Sequence, residues 1–421
     1  MQLTKKQKML KGACYTCNIS MSVVGNLPPL LFITFRSLYG ISYSLLGLLV
    51  LINFSTQLLV DSLFSIFSKK INIPKLVRAM PLLTIIGFLI YASTPLIFKD
   101  FVFSGLVIGT VIFSAGSGLA EVLVSPIIAS IPSENPDHEM SKLHSIYAWG
   151  VVGTIGLSTL FLFIFKNTSW QILPLIFTIL PIASFILFSL TDIPALKGEE
   201  TEIGKTTPVI REKKFWLCVF AIFLGGAAEC TMAQWCSGYI EKALGIDKIW
   251  GDIFGAALFG LMLGFGRTLY AKRGKNIETV LFLGAIGSTA CYAIAAFSSL
   301  PIIGLIACAV TGLCVSMLWP GSLIVVAKHF PHGGVFIYAM MAAGGDCGAS
   351  LSPQLTGIIT DAVTKSSFAI RLGERLGLSA EQVGMKCGIL TGMVFSFIAI
   401  FVYFALIKIS KNATSAKSTD A

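Results

Sequence analysis

The sequence predicts an all-α membrane protein whose twelve transmembrane helices form two pseudo-symmetric six-helix bundles. The chain has 421 residues, of which 55% are hydrophobic and 12% are charged. That charged fraction is about half of the roughly 25% that soluble domains carry. Runs of about 20 apolar residues recur along the chain, and each is long enough to cross about 30 Å of hydrocarbon. These observations exclude a soluble enzyme, a nucleic-acid-binding module and a disordered chain.

Twelve predicted spans follow when the apolar runs are separated at charged or turn-rich breaks. In the first half they cover residues 11–35, 43–67, 79–98, 101–131, 142–165 and 169–191. In the second half they cover residues 215–240, 250–270, 277–297, 300–327, 333–360 and 383–407. A polar stretch separates the two halves. We therefore predict an N-terminal bundle at 1–191, a cytoplasmic central loop at 192–214, and a C-terminal bundle with a cytoplasmic tail at 215–421.

The placement of charge predicts how the chain is inserted. Most Lys and Arg residues fall in alternate loops, and cytoplasmic loops are enriched in these residues. The basic N-terminal segment precedes the first apolar run without a cleavage site of small residues, so we predict no signal peptide. We expect a protein of the plasma (inner) membrane with both termini in the cytoplasm. The ten cysteines are scattered, and the Cys14-x-x-Cys17 pair lacks a second pair or a His cluster, so we predict no metal site and no cofactor.

The two halves resemble each other. Gly118 precedes Pro126 by eight residues in span four, and Gly312 precedes Pro320 by eight residues in span ten. Parallel six-helix repeats are typical of transporters, whose substrate site lies between the repeats near the bilayer midplane. The alternative is that small residues and prolines recur in any helical membrane protein.

Polar residues are distributed unevenly among the spans. Spans three, six, nine and twelve carry no internal charge, whereas the other eight carry charged or amide side chains. Because a polar side chain within hydrocarbon is costly, this distribution predicts that four helices face lipid and eight surround a hydrated region.

Glu121 is the strongest candidate for proton coupling. It lies in the middle of span four, with no basic residue in the same predicted helix. A carboxyl removed from water favours its neutral form, which suits it to binding and releasing a proton. Glu229, in the middle of span seven, is a second candidate. The alternative for both is a structural hydrogen bond to a neighbouring helix.

Candidate substrate contacts are polar or aromatic side chains in the spans that carry polar residues. They are Asn26, Glu121, His144, Tyr147, Gln234, Trp235, Trp319 and Asp346. His144 and Tyr147 share a helix face at a spacing of three residues. Trp235 and Trp319 would stack on a sugar ring, the alternative being ordinary packing. Asp346 would serve as a proton site, a substrate acceptor or a link between helices.

Asp61 and Arg267 are candidate gating residues at equivalent ends of spans two and eight. We expect them to pair charges across the halves and so steady one conformation. The alternative is that they are solvated charges that only set the topology. Ser379 and Gln382 have the spacing of a capping box that opens the last helix.

Taken together, these features resemble the major facilitator superfamily over the whole chain. Asp61 matches the acidic position of that superfamily's loop-2/3 motif. Gln57 and Phe64 replace the two glycines of the motif, and Ser62 replaces its basic residue. The resemblance implies the major facilitator fold and a secondary transporter that works by alternating access.

A narrower resemblance is to the fucose and glucose–galactose permease branch. Gly118-Leu-Ala-Glu121 with Pro126 is similar to that branch's span-four motif, and Gly226-Ala-Ala-Glu229 is similar to its span-seven motif. This resemblance implies a role for Glu121 in proton coupling. The branch's acidic residue in span one is replaced here by the Asn26-Leu-Pro-Pro segment. The proline-containing motif of drug antiporters is absent from span five.

We therefore expect a proton symporter that imports a small polar solute, with a sugar or sugar derivative as the favoured substrate. The alternatives are a proton-coupled efflux antiporter for amphipathic compounds and a facilitative uniporter. An enzyme would need a clustered nucleophile, metal or acid–base set, so we predict no catalytic residues. The expected partners are the substrate, protons and the lipid bilayer, with no nucleic acid, and we expect a monomer.

Overall fold

The computed structural model describes residues 4–67, 72–133, 136–193, 209, 211–274, 276–330 and 334–419. Regular structure in these ranges is entirely helical. The chain forms two compact units, Met1–Glu199 and Glu200–Ala421. Parts of the predicted central loop, and the side chain of His144, lie outside what is described.

In the described part of the first unit there are eight α-helices, besides a short 3-10 helix at Asn167–Ser169. They are α1 (Lys5–Leu30), α2 (Phe32–Tyr39), α3 (Tyr43–Phe67), α4 (Ile73–Ile97), α5 (Val102–Ser130), α6 (Pro136–Phe165), α7 (Ile172–Phe177) and α8 (Ile179–Ser189). A capping box between Thr4 and Gln7 opens α1. The core packs α1 against α5, α6 and α8, and α5 against α3 and α4.

A bend of 45° separates α1 from α2 at Leu31. Pro28 and Pro29 lie in the last turn of α1 and lack the N–H groups that a continuous helix needs. Aromatic packing then fixes α2. The Trp170 indole donates to the Tyr39 hydroxyl at 2.9 Å, and its ring meets that of Phe35 edge-on.

The part of the second unit that the structure describes has nine α-helices and one π-helical turn. The helices are α9 (Lys213–Lys242), α10 (Lys248–Gly251), α11 (Leu258–Arg273), α12 (Ile277–Phe297), α13 (Pro301–Val315), α14 (Leu318–His329), α15 (Gly334–Thr364), α16 (Ser367–Leu376) and α17 (Ala380–Thr419). The capping box predicted for Ser379 and Gln382 is confirmed at the start of α17, because each residue's backbone N–H donates to the other's side chain.

The π-helical turn, Asp252–Ala257, joins α10 to α11. It begins at a fully buried carboxylate, Asp252. The Lys248 ammonium lies 2.9 Å from this carboxylate, and the Ser237 hydroxyl donates to it. A buried charge is tolerated only when it is paired and hydrogen-bonded, so this cluster fixes the start of the span.

The predicted spans correspond to helices of the structure. Among the described residues, ten helices are long and apolar enough to cross a membrane, or eleven if the bent pair α1–α2 is one span. The 31-residue helix α15 falls outside that set, at the position of the eleventh predicted span. Span six divides into α7 and α8 at Thr178, and span ten divides into α13 and α14 at Ser316–Met317.

One detail of the predicted charge distribution was wrong. Lys386 lies inside α17 and is part-buried, although span twelve was predicted to carry no internal charge. Its ammonium donates to the backbone carbonyls of Ala296 and Ser298 at 3.0 and 3.2 Å. Cations are favoured at the C-terminal end of a helix, where carbonyls lack partners. Lys386 is therefore accommodated by capping α12.

Candidate functional site

In the first unit, polar side chains follow the contact between α3 and α5. The Ser114 hydroxyl donates to Asn53 Oδ1 at 2.6 Å, and Gln57 Nε2 donates to the same oxygen at 2.9 Å. One turn further along, a Cβ added at Gly118 would lie 3.1 Å from Gln57 Cα. The two contacts between α3 and α5, Asn53 with Ser114 and Gln57 with Gly118, each join residues 61 positions apart, so the two helices run parallel in a constant register.

Continuing this register places Asp61 level with the turn of α5 that carries Glu121. The two carboxyls lie within electrostatic range of each other. Glu121 is exposed, although its neighbours Ala120 and Leu123 are buried. The structure therefore brings a predicted coupling residue and a predicted gating residue together in one unit.

A second polar region lies between α1 and α6. A Cβ added at Gly25 would lie 3.6 Å from the Tyr147 hydroxyl, which places Tyr147 against the residue that precedes Asn26. The Asn26 side-chain amide donates to the Ser22 carbonyl of its own helix at 2.8 Å. Asn18, absent from the predicted site, links the same two helices by donating to the Leu143 carbonyl at 2.7 Å.

An ionic cluster joins the N-terminal parts of α1 and α6. The Lys11 ammonium lies 2.7 Å from one oxygen of Glu139, and the Tyr15 hydroxyl donates to the other at 3.2 Å. The hydrogen bond from Lys11 holds the pKa of Glu139 below its usual range. This cluster consequently contributes more to stability when Glu139 is ionised.

In the second unit, Glu229 and Arg267 form an ion pair. Arg267 Nη2 lies 3.1 Å from Glu229 Oε1 and 3.3 Å from Oε2. The pair joins α9 to α11. The sequence predicts Glu229 as a candidate for proton coupling and Arg267 as a gating residue that pairs charges with Asp61. Glu229 supplies a partner for Arg267 within its own unit, and the pairing with Asp61 stays a prediction.

Arg267 also contacts the interruption between α13 and α14. Its Nε donates to the backbone carbonyl of Ser316 at 3.1 Å. Gly266 allows this approach, because a Cβ there would overlap the Ser316 side chain.

Trp319 and Asp346 lie close to this ion pair in the fold. The part-exposed Trp319 ring occupies space where a Cβ on Gly226 or Gly345 would sit, at 2.9 and 2.5 Å respectively. Asp346 follows Gly345 directly, and both it and Glu229 lie within electrostatic range of Cys230. Three of the predicted residues of this unit, namely Glu229, Trp319 and Asp346, therefore share one region.

Gln234 and Trp235 are buried within the second unit. The Trp235 indole is 1% exposed and donates to the Pro353 carbonyl at 3.0 Å. A ring covered on both faces has no free surface for a sugar, so this packing favours a structural role for Trp235. The predicted contact of each residue with a substrate stays a prediction.

Two features of the second unit were missed by the sequence analysis. One is the buried Lys248–Asp252 pair, which the spacing of four residues on a helix would have suggested. The other is the hydrogen bond from Arg267 to the Ser316 carbonyl, which lies four residues before Pro320 and so lacks its helical donor. In the described ranges, no three His, Cys, Asp or Glu side chains are grouped closely enough to hold a metal ion.

Solved transporters have the same overall fold as this chain. A bacterial homolog of the human lysosomal transporter Spinster, in an inward-facing and occupied conformation, is 14% identical, with 96% of each chain covered and a TM-score of 0.73. The nucleoside transporter NupG is 11% identical, with 97% of this chain and 100% of that chain covered and a TM-score of 0.68. A D-xylose–proton symporter is 14% identical, with 93% and 96% covered and a TM-score of 0.67.

No curated protein sequence matches the chain. The family model described as Major Facilitator Superfamily matches residues 14–353. That match covers most of the sequence and includes both coupling candidates. It confirms the predicted fold class and the expectation that the protein is not an enzyme. The chain belongs to the Major Facilitator Superfamily and is a membrane transporter.

Proposed function

We propose that this protein is a proton symporter that imports a small polar solute, with a monosaccharide or a derivative of one as the favoured substrate. The observation that carries the proposal is the placement of Glu121, exposed on α5 and within electrostatic range of Asp61 on α3. Two carboxylates within electrostatic range repel each other, and one bound proton relieves that repulsion. Proton binding is thereby coupled to the contact between two helices.

The structural neighbours support the solute class. The buried Asn53 and Ser114 side chains are hydrogen-bonded to each other, so they join α3 to α5 and are not offered as contacts to the solute. The nucleoside transporter and the xylose–proton symporter found by structural comparison act on solutes that contain a sugar, which agrees with this assignment.

We place the coupling proton on Glu121 rather than on Glu229. Arg267 Nη2 contacts both carboxylate oxygens of Glu229, and this cation favours the ionised form of Glu229. One proton moving through 100 mV provides about 2.3 kcal/mol, enough for roughly a 40-fold gradient of a neutral solute. We further propose insertion in the plasma membrane as a monomer, with both termini in the cytoplasm.

The first experiment identifies the solute by thermal shift. Purified protein is screened against sugars, nucleosides, amino acids and amphipathic drugs, because a ligand that binds the folded state raises the melting temperature. A stabilising monosaccharide or nucleoside supports the proposal. Stabilisation by amphipathic drugs alone would support an exporter instead.

The second experiment measures uptake of that solute into proteoliposomes. An imposed inward proton gradient should drive accumulation above equilibrium, and Glu121→Gln should abolish it while leaving solute exchange intact. Equilibration without accumulation in the unmodified protein would identify a uniporter. Proton-driven movement in the opposite direction would identify an antiporter. Full accumulation by Glu121→Gln would exclude Glu121 as the coupling site.

A further inference from the structure

We propose that Arg267 is a positioning residue that replaces the backbone donor missing at Pro320 and thereby holds the interruption between α13 and α14. Glu229 anchors its guanidinium. This inference concerns the internal construction of the second unit, and it requires neither proton coupling nor a particular solute.

One backbone hydrogen bond is missing from span ten. In a continuous helix the Ser316 carbonyl would accept from the N–H of residue 320. Pro320 has no N–H, and the regular helix is interrupted at Ser316–Met317 although both residues keep right-handed helical backbone angles. Ser316 is only 3% exposed. A buried carbonyl without a donor destabilises the folded state, so this position requires a donor from elsewhere.

Arg267 provides the missing donor to the Ser316 carbonyl. Arg267 Nε lies 3.1 Å from the Ser316 carbonyl, while Nη2 of the same guanidinium contacts both oxygens of Glu229. The guanidinium is planar and carries donors in more than one direction. One side chain of α11 therefore fixes α9 and the interruption in span ten at the same time.

The interruption between α13 and α14 positions the Trp319 side chain. Trp319 lies three residues after Ser316, in the first turn of α14. Its ring packs against Gly226 of α9 and Gly345 of α15. Gly226 precedes Glu229 by one turn, and Gly345 is followed directly by Asp346. A change in the angle between α13 and α14 would consequently move the indole relative to Asp346.

A rescue experiment tests the proposal without any solute. The protein is labelled with 5-fluorotryptophan, placed in nanodiscs and studied by ¹⁹F NMR, and Trp319→Phe assigns the Trp319 resonance. Arg267→Gln should shift that resonance and lower the melting temperature by about 2 °C. Adding Pro320→Ala restores an N–H four residues after Ser316. This second change should return the resonance toward its original position, and it should recover about half or more of the decrease in melting temperature.

Lys386→Gln is the matched control. Lys386 also donates from a side chain to backbone carbonyls of the same unit, at Ala296 and Ser298, but its acceptors have no connection with Pro320. Lys386→Gln should lower the melting temperature without moving the Trp319 resonance. Pro320→Ala should not rescue it.

Two results would overturn the proposal. One is a Trp319 resonance that stays in place in Arg267→Gln. The other is a Pro320→Ala change that stabilises the Arg267 and Lys386 variants equally, since that would be a general effect of removing a proline. If Arg267→Gln does not fold, Arg267→Lys takes its place. It keeps the charge beside Glu229 but loses the planar donor group, so the same shift and rescue are expected.

Discussion

The two units share a Gly-to-Pro spacing of eight residues, yet their helices respond to it differently. In the first unit α5 runs without interruption from Val102 to Ser130 through Pro126. In the second, the corresponding span divides into α13 and α14 four residues before Pro320. The neighbouring helix differs between them, because Arg267 stands where the first unit has Asp61. A guanidinium donates to a backbone carbonyl, whereas a carboxylate only accepts. A proline thus permits an interruption, and a nearby donor stabilises it.

The same comparison separates two kinds of acidic residue. Glu121 is exposed and lies in range of another carboxyl, whereas Glu229 is held by a cation. We infer that the first unit contains the group that changes charge during transport, and that the second contains a fixed framework.

The largest effect is expected at Glu121. Glu121→Gln should reduce proton-driven accumulation by at least about tenfold, because the amide cannot bind and release the coupled proton. Uptake in proteoliposomes under an imposed pH gradient measures this effect. Solute counterflow is the control and should continue, since exchange needs no net proton movement.

Glu229→Gln should have a smaller effect on accumulation than Glu121→Gln. It removes the ion pair but leaves the Arg267 bond to the Ser316 carbonyl, so we expect retained coupling and a melting temperature lower by about 1–2 °C. Accumulation and thermal unfolding are measured on both variants. Equal loss of accumulation in the two variants would contradict the division of roles between the units.

The contact between α3 and α5 should show measurable coupling between Asn53 and Ser114. Each change to Ala removes a buried hydrogen bond worth about 1 kcal/mol. In a double-mutant cycle the two losses should be less than additive by a similar amount. Denaturant unfolding of the single and double variants provides the free energies. Strict additivity would show that the hydrogen bond contributes nothing to holding these helices together.

The smallest expected effect is the pH dependence contributed by Glu139. Its pKa is lowered in the folded state by Lys11. Its contribution is therefore present above the ordinary Glu pKa of about 4.3 and is lost as the pH falls through the lower folded value. Melting temperatures at neutral and acid pH should differ less in Glu139→Gln than in the unmodified protein, by about 1 °C.

Asp192→Asn is the control for this measurement. Asp192 pairs with Lys6 at 2.7 Å, but both side chains are largely exposed, and exposed pairs contribute little to stability. The control should retain the pH dependence of the unmodified protein. A control that changed it as much as Glu139→Gln does would show that burial of the Lys11–Glu139 cluster is unimportant.

The sequence predicted the membrane fold because hydrocarbon imposes one strong rule on every span, a long run of apolar residues. It also identified Glu121 as a candidate, because a carboxyl in such a run is conspicuous, and the role of Glu121 in coupling stays a prediction. It could not assign partners. Arg267 lies at the end of its predicted span, and only the fold shows that its guanidinium reaches Glu229 and Ser316. The burial of Trp235 likewise depends on neighbouring helices, which periodicity in one helix does not identify.

The π-helical turn at Asp252–Ala257 has a consequence for changes in chain length. A π-turn holds one more residue per turn than an α-helix, so it absorbs a single insertion without altering the direction of the residues that follow. Deleting one residue within this turn should leave Arg267 aimed at its two acceptors. Deleting one residue between Leu258 and Arg267 would rotate the guanidinium by about 100°. Homologous chains that lack one residue in this span are therefore expected to have lost it from the turn.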